Sequence, residues 1–263
     1  MNKASFYFRE LASFEPSFEA VDEWRGSFRV GGQRAQLAFE PGGWLVASAA
    51  IIGSPEHLLR RQAEILAPAK IASGLTLRAE APVERKVAES FAVVRAALEH
   101  GLAVITEKGG TTATGNDQGR EVEALLAGHL AAGYGEWSRR ESGFLLQVET
   151  GRFAQKVVIE VDRGHVFFRA DLARLRDPAP VSLAALVHFL LALNARLRFA
   201  RGILAPDKVA LEVVIAANDL KPWLIDKAVG ALAAGAGMAR RECAALFDAE
   251  VAQAYGQFHE ERR

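Results

Sequence analysis

Cysteine is almost missing: Cys243 stands alone in a chain of 263 residues. No disulfide can close within it, and nothing points to an oxidising compartment. An excess of either charge is missing too. Lysine plus arginine and aspartate plus glutamate both total 32, which removes the bulk electrostatic argument for nucleic acid or an anionic membrane surface. No apolar run is long enough to cross a bilayer. The longest, Val181 to Leu193, is interrupted by His188 and falls short of the ~20 residues a spanning helix needs. Glu10, Glu15 and Glu19 break the N-terminal stretch where a secretion signal would need unbroken apolar residues. We expect a soluble, cytoplasmic protein with no membrane partner and no nucleic acid.

Recognisable chemistry is also absent. The six histidines, at 57, 100, 129, 165, 188 and 259, never share the i, i+3 or i, i+4 spacing that sets two ligands on one helix face. Cys243 lies near Arg240 and Arg241, which would favour a thiolate. A catalytic thiol also needs a histidine base, and without one in the neighbouring sequence Cys243 reads as a buried structural residue. The stretch KGGTTATGNDQG is glycine-rich but lacks the G-x-x-x-x-G-K-[ST] order of a phosphate loop. We expect no metal, no cofactor and no catalytic residue, hence no enzyme.

What is present is periodicity. Phe6, Phe8, Leu11, Phe14 and Phe18 have partly helical spacing, broken by Pro16. Ser27 to Val30, Ala35 to Phe39 and Trp44 to Ile51 read as strands separated by glycine turns. Ser54-Pro55-Glu56 opens a helix, Leu75 to Ala79 is a strand, and Val87 to Leu98 is a helix. Residues 106–119 read as a linker. Beyond it come a helix over Glu121 to Ala132 and strands over Phe144 to Glu149, Gln155 to Val161 and Val166 to Leu172. A long helix, with Ser182 as its cap, follows; Arg196, Arg198 and Arg201 load its C-terminal end and Gly202 stops it. The strand Val209 to Ile215 and helices over Pro222 to Gly235 and Arg240 to Gln257 complete the chain.

The second series repeats the first. With Gln33 over Gln155, an offset of 122, QRAQLAFEPGGWLVASAA lies on QKVVIEVDRGHVFFRADL. Alternation, the acid before the turn (Glu40, Asp162) and the turn glycine (Gly42, Gly164) coincide. We expect an α+β fold of two tandem repeats, each a helix, an antiparallel β-meander, a helix, a strand and a helix. Their bounds are 1–105 and 120–263, and the first repeat is the degenerate one.

DRGHVFFRADL, LLALNARLRFARG and VALEVVI in this order resemble the type III secretion chaperone-like fold, shared with bacterial sensory transduction regulator-like proteins. The resemblance covers 121–258 and, more faintly, 6–100. It implies a non-catalytic protein-binding module, a chaperone-like adaptor or regulator that holds a protein client on sheet and helix surfaces. Members are often dimeric, so it implies an intrachain pseudo-dimer or a homodimer here.

Phe167, Phe168, Arg169, Asn194 and Arg198 are the candidate partner-binding residues. They mix aromatic and basic side chains, with one amide, Asn194, on an otherwise apolar helix face, where it needs a hydrogen-bond partner. The alternative is a small-molecule-binding protein or enzyme with a pocket between the repeats, lined by Asn194, Arg169 and Asp171.

Overall fold

The computed structural model describes residues 3–62, 64–65, 69–83, 86–106, 117–150 and 153–260. The first half runs α1 (Lys3–Phe14), β1 (Glu19–Ala20), β2 (Arg25–Val30), β3 (Gln33–Glu40), β4 (Trp44–Ala50), α2 (Pro55–Gln62), β5 (Ala69–Ala72), β6 (Thr76–Pro82) and α3 (Val87–Ile105). The second runs α4 (Asp117–Gly133), β7 (Trp137–Arg140), β8 (Gly143–Thr150), β9 (Phe153–Asp162), β10 (His165–Arg174), α5 (Pro180–Arg196), β11 (Arg201–Leu204), β12 (Lys208–Ala216), α6 (Pro222–Ala245) and α7 (Ala249–Glu260). The chain is α+β, with two six-stranded antiparallel sheets ordered β1-β2-β3-β4-β6-β5 and β7-β8-β9-β10-β12-β11. The same strand order serves both halves, and among the described residues α7 and a short 3-10 turn at Ala217–Asp219 have no counterpart in the first half.

Alternation along the strands gives each sheet a core face and an outer face. The core face of sheet 1, with Leu37, Leu45 and Leu77 fully buried, packs on α3; that of sheet 2, with Ile159, Phe168 and Leu211, packs on α6. Two glycines set the closeness of these helices. A Cβ on Gly101 would meet Leu77 at 2.8 Å, and one on Gly235 would meet Leu211 at 2.8 Å. The spacing from Gly101 to Gly235 equals that from Leu77 to Leu211.

Several expectations need correction. Each half follows its second helix with a hairpin rather than one strand, because AKIA and RGIL form β5 and β11. Both are four-residue strands, short enough to escape alternation, and each buries a cation. The offset of 122 fails past the turn: Glu40 pairs with Trp44 across three residues, whereas Asp162 pairs with His165 across two. A one-residue slip there exchanges the faces of the strand. Ser182 is not a cap. Pro180 takes the first helical position, so α5 starts earlier, and the buried Ser182 hydroxyl donates to the Phe247 carbonyl at 3.4 Å. The helix also ends at Arg196, leaving Arg198 in a loop and Arg201 in β11. Helix α6 runs on to Ala245, and the last break falls at 246–248. Of the linker at 106–119, Thr106 closes α3, residues 107–116 lie outside the described residues, and Asp117 already belongs to α4.

The halves pack on each other through α2 and β5 on one side and α5 and β11 on the other.

Candidate functional site

The junction between the halves is polar at its centre. Gln62, on the last turn of α2, and Asn194, near the end of α5, are both fully buried. Each amide bonds both halves, and the Asn194 nitrogen donates to the Gln62 oxygen directly at 3.3 Å. The Gln62 oxygen accepts from the Ile71 N–H, and its nitrogen donates to the Gly202 carbonyl at 2.7 Å. The Asn194 oxygen accepts from the Gly202 N–H at 2.5 Å, and its nitrogen donates to the Ile71 carbonyl at 2.8 Å. Glycine at 202 lets β11 lie close to α5, since a Cβ there would meet a Leu190 methyl at 2.7 Å.

Two buried cations repeat this exchange. Lys70 pairs with Glu80 at 3.2 Å and donates to the Leu197 carbonyl of the other half. Arg201 pairs with Glu212 at 2.5 Å and donates to the Ala69 and Ile65 carbonyls, each at 2.8 Å. Burial lowers the Lys70 ammonium to about 8, against the raising effect of Glu80. Between the halves Phe199 adopts a left-handed conformation (φ 65°), a strain of about 1–3 kcal/mol in a bulky residue. Its N–H points at Glu80, 3.4 Å away. The remaining cleft at this centre is about 20 Å³, room for a water molecule and no more.

Away from the junction the outer faces differ. On sheet 2, Phe167 packs against Val214, the Arg169 guanidinium lies 4.8 Å from the Phe167 ring, and Arg169 bridges Glu160 at 2.6 Å and Glu212 at 2.8 Å. That face is filled. On sheet 1 the corresponding surface holds a groove of about 200 Å³ whose lining includes Gln36, Ala38, Val46, Ser48, Thr76 and Arg78, with Ala195 of α5 at its side. Arg78 reaches Glu40 at 2.9 Å and Glu80 at 2.7 Å, and Arg198 also holds Glu40.

The five candidate residues therefore do not form one surface. Phe168 is fully buried in the core, and Phe167, on the opposite face of β10, is 2% exposed beneath Arg169. Asn194 is spent on the junction, while Arg198 reaches across it to Glu40 of the first half. Arg169 belongs to the sheet-2 network, and Asp171 pairs with Lys208 at 3.0 Å. Gln62, Lys70, Glu80 and Glu212 went unnoticed in the sequence. Gln62 and Lys70 stand on short elements, and Glu80 and Glu212 on the outer rungs of β6 and β12, where a polar residue reads as solvated until the other half covers it.

Two further groups bear on chemistry. Burial pushes the Cys243 thiol up to about 12, far from a thiolate. His129 bonds Asp226 at 2.8 Å and the Tyr134 hydroxyl donates to the same oxygen at 2.8 Å. Burial raises the Asp226 carboxyl, these hydrogen bonds outweigh it, and its pKa is lowered. This histidine–carboxylate pair ties α4 to α6 with no activated nucleophile beside it among the described residues. Among these residues no helix is long and apolar enough to cross a membrane. No protein-family model matches the chain, and no curated protein matches it in sequence.

Proposed function

We propose that the chain is a non-catalytic protein-binding module, a chaperone-like adaptor or regulator, whose client lies as an extended segment in the groove on the outer face of sheet 1. The observation that carries this reading is the groove itself. Its floor of Ala38 and Val46 is too small to fill it, and Gln36, Ser48, Thr76 and Arg78 offer hydrogen bonds along it. An extended segment alternates its side chains at the spacing of the strands beneath it. With about 20 Å³ left beside Lys70 and Arg201, the centre of the junction has no room for a ligand, and the wider cleft of about 530 Å³ between α2 and the β11–β12 turn is lined by none of Asn194, Arg169 and Asp171. We read the halves as duplicated copies packed as an intrachain pseudo-dimer. The shared strand order and the two matched glycine approaches support that reading.

The test is affinity capture of the tagged full chain from its host's lysate, with Ala38→Trp as the discriminating variant. Ala38 faces outward on β3, so tryptophan fills the groove and leaves the core alone. A stoichiometric protein partner bound by the wild type and lost from Ala38→Trp is the expected result. Recovery of the chain by itself, or a partner that Ala38→Trp retains, overturns the reading.

A further inference from the structure

We infer that His188 and His259 form a two-imidazole site for a divalent transition-metal ion, which clamps α7 onto α5. The two residues are remote in sequence, and the packing of α7 along α5 brings their ring centres to 4.9 Å, with the planes inclined at 43°. Two imidazoles on one tetrahedral ion, with metal–nitrogen bonds of about 2.0–2.1 Å, place their ring centres roughly 5 Å apart. Both histidines are half-buried and line a cleft of about 350 Å³ between the helices, which leaves space for the rest of a coordination sphere.

Among the described residues no three His, Cys, Asp or Glu side chains converge on one point. The remaining positions fall to water or to the amide oxygens of Gln253 and Gln257, which line the same cleft. Tyr255 lies 4.4 Å from the His259 ring centre. Its ring packs against both His188 and His259 and forms a wall of the site. Imidazole nitrogen suits Zn²⁺, Cu²⁺ and Ni²⁺ and is a poor match for Mg²⁺ or Ca²⁺. Among the described residues helix α7 has no counterpart in the first half, so the clamp acts where the two halves differ in construction.

The experiment is a Zn²⁺ titration of the untagged full chain against a chromophoric chelator, with thermal unfolding in parallel. One ion per chain and a Tm that rises with Zn²⁺, but not with Mg²⁺, are expected. His188→Gln and His259→Gln should each weaken binding by at least the roughly tenfold to hundredfold that losing an outer-shell partner costs, with far-UV dichroism unchanged. Tyr255→Phe and His129→Gln should bind as the wild type does. No Zn²⁺ binding, binding that both glutamine variants retain, or binding that either control abolishes overturns the proposal.

Discussion

Val46 stands two residues beyond Trp44, which pairs with Glu40 across the β3–β4 turn; Phe167 stands two residues beyond His165, which pairs with Asp162 across the β9–β10 turn. Both side chains lie on the outer face of their sheet, yet their partners across the ladder differ. Glu80 is opposite Val46, and Val214 is opposite Phe167. One rung closer to the edge, Lys70 faces Arg78, whereas Arg201 faces Glu212. Sheet 2 thus sets apolar against apolar and cation against anion, and its outer face closes. Sheet 1 sets cation against cation and places its anion beside valine. Arg78 and Arg198 are then drawn over the face to Glu40 and Glu80, and the groove lies alongside. Strand order alone does not decide whether a sheet face is open; the order of side chains on the outer rungs does.

The sharpest break of this comparison is removal of the two glutamates. Glu212 is fully buried and carries both Arg201 and Arg169. In Glu212→Ala the Arg201 guanidinium stays buried and cannot lose its charge, so stability should fall by about 3–5 kcal/mol. Glu80→Ala leaves Lys70 beside Arg78, but an ammonium can discard its proton. Its loss should be nearer to the ~1–3 kcal/mol of an unsatisfied polar group. Urea unfolding of both variants measures the difference. Equal losses would remove the claimed asymmetry between the two buried cations.

A second test uses the same asymmetry through pH. The folded Lys70 ammonium is lowered from 10.5 to about 8, so between those values the unfolded chain binds more protons than the folded one. Stability then rises with pH across that window, and below it the cost of burying the charged ammonium is fully present and independent of pH. A guanidinium carries its charge across this whole range, so replacing the lysine by arginine removes the titrating group as methionine does. Lys70→Met should flatten the rise in unfolding free energy between about pH 8 and pH 10, and so should Lys70→Arg. A slope that persists in Lys70→Met would place the titrating group elsewhere.

Much of the frame was legible in the sequence, because alternation and turn chemistry act over a few residues. The α+β class, both meanders and the order of the main helices could be read directly. The edge strands β5 and β11 could not, because Lys70 and Arg201 look like surface residues until a second half covers them. Asn194 announced itself as an amide on an apolar helix face, but its partners Ile71 and Gly202 belong to different halves. Phe167 and Phe168 illustrate the same limit. Alternation says they point to opposite faces, and only the packing of Val214 and Arg169 over Phe167 decides that neither is free.

The smallest expected effect concerns the hairpin ends, where each half reaches the other's third helix. Beside the β3–β4 turn, Trp44 lies 4.9 Å from the Lys227 ammonium, which also stands 5.3 Å from the Trp223 ring on α6. Beside the β9–β10 turn the corresponding neighbour is His100 of α3, whose pKa is lowered by burial and by the charges of His165 and Arg201. One end is therefore pinned by an ammonium between two indoles, and the other faces an imidazole whose pKa is lowered. Ammonium–indole attraction at half-exposed sites is worth about 0.5–1 kcal/mol. Lys227→Met keeps most of the apolar stem and deletes the charge, so urea unfolding near pH 7 should show a loss of that size, restored in Lys227→Arg. If Lys227→Met is as stable as the wild type, the indoles hold Lys227 without energetic consequence. The first hairpin end is then positioned by its ladder pairing with β6 alone, as the second is by β12.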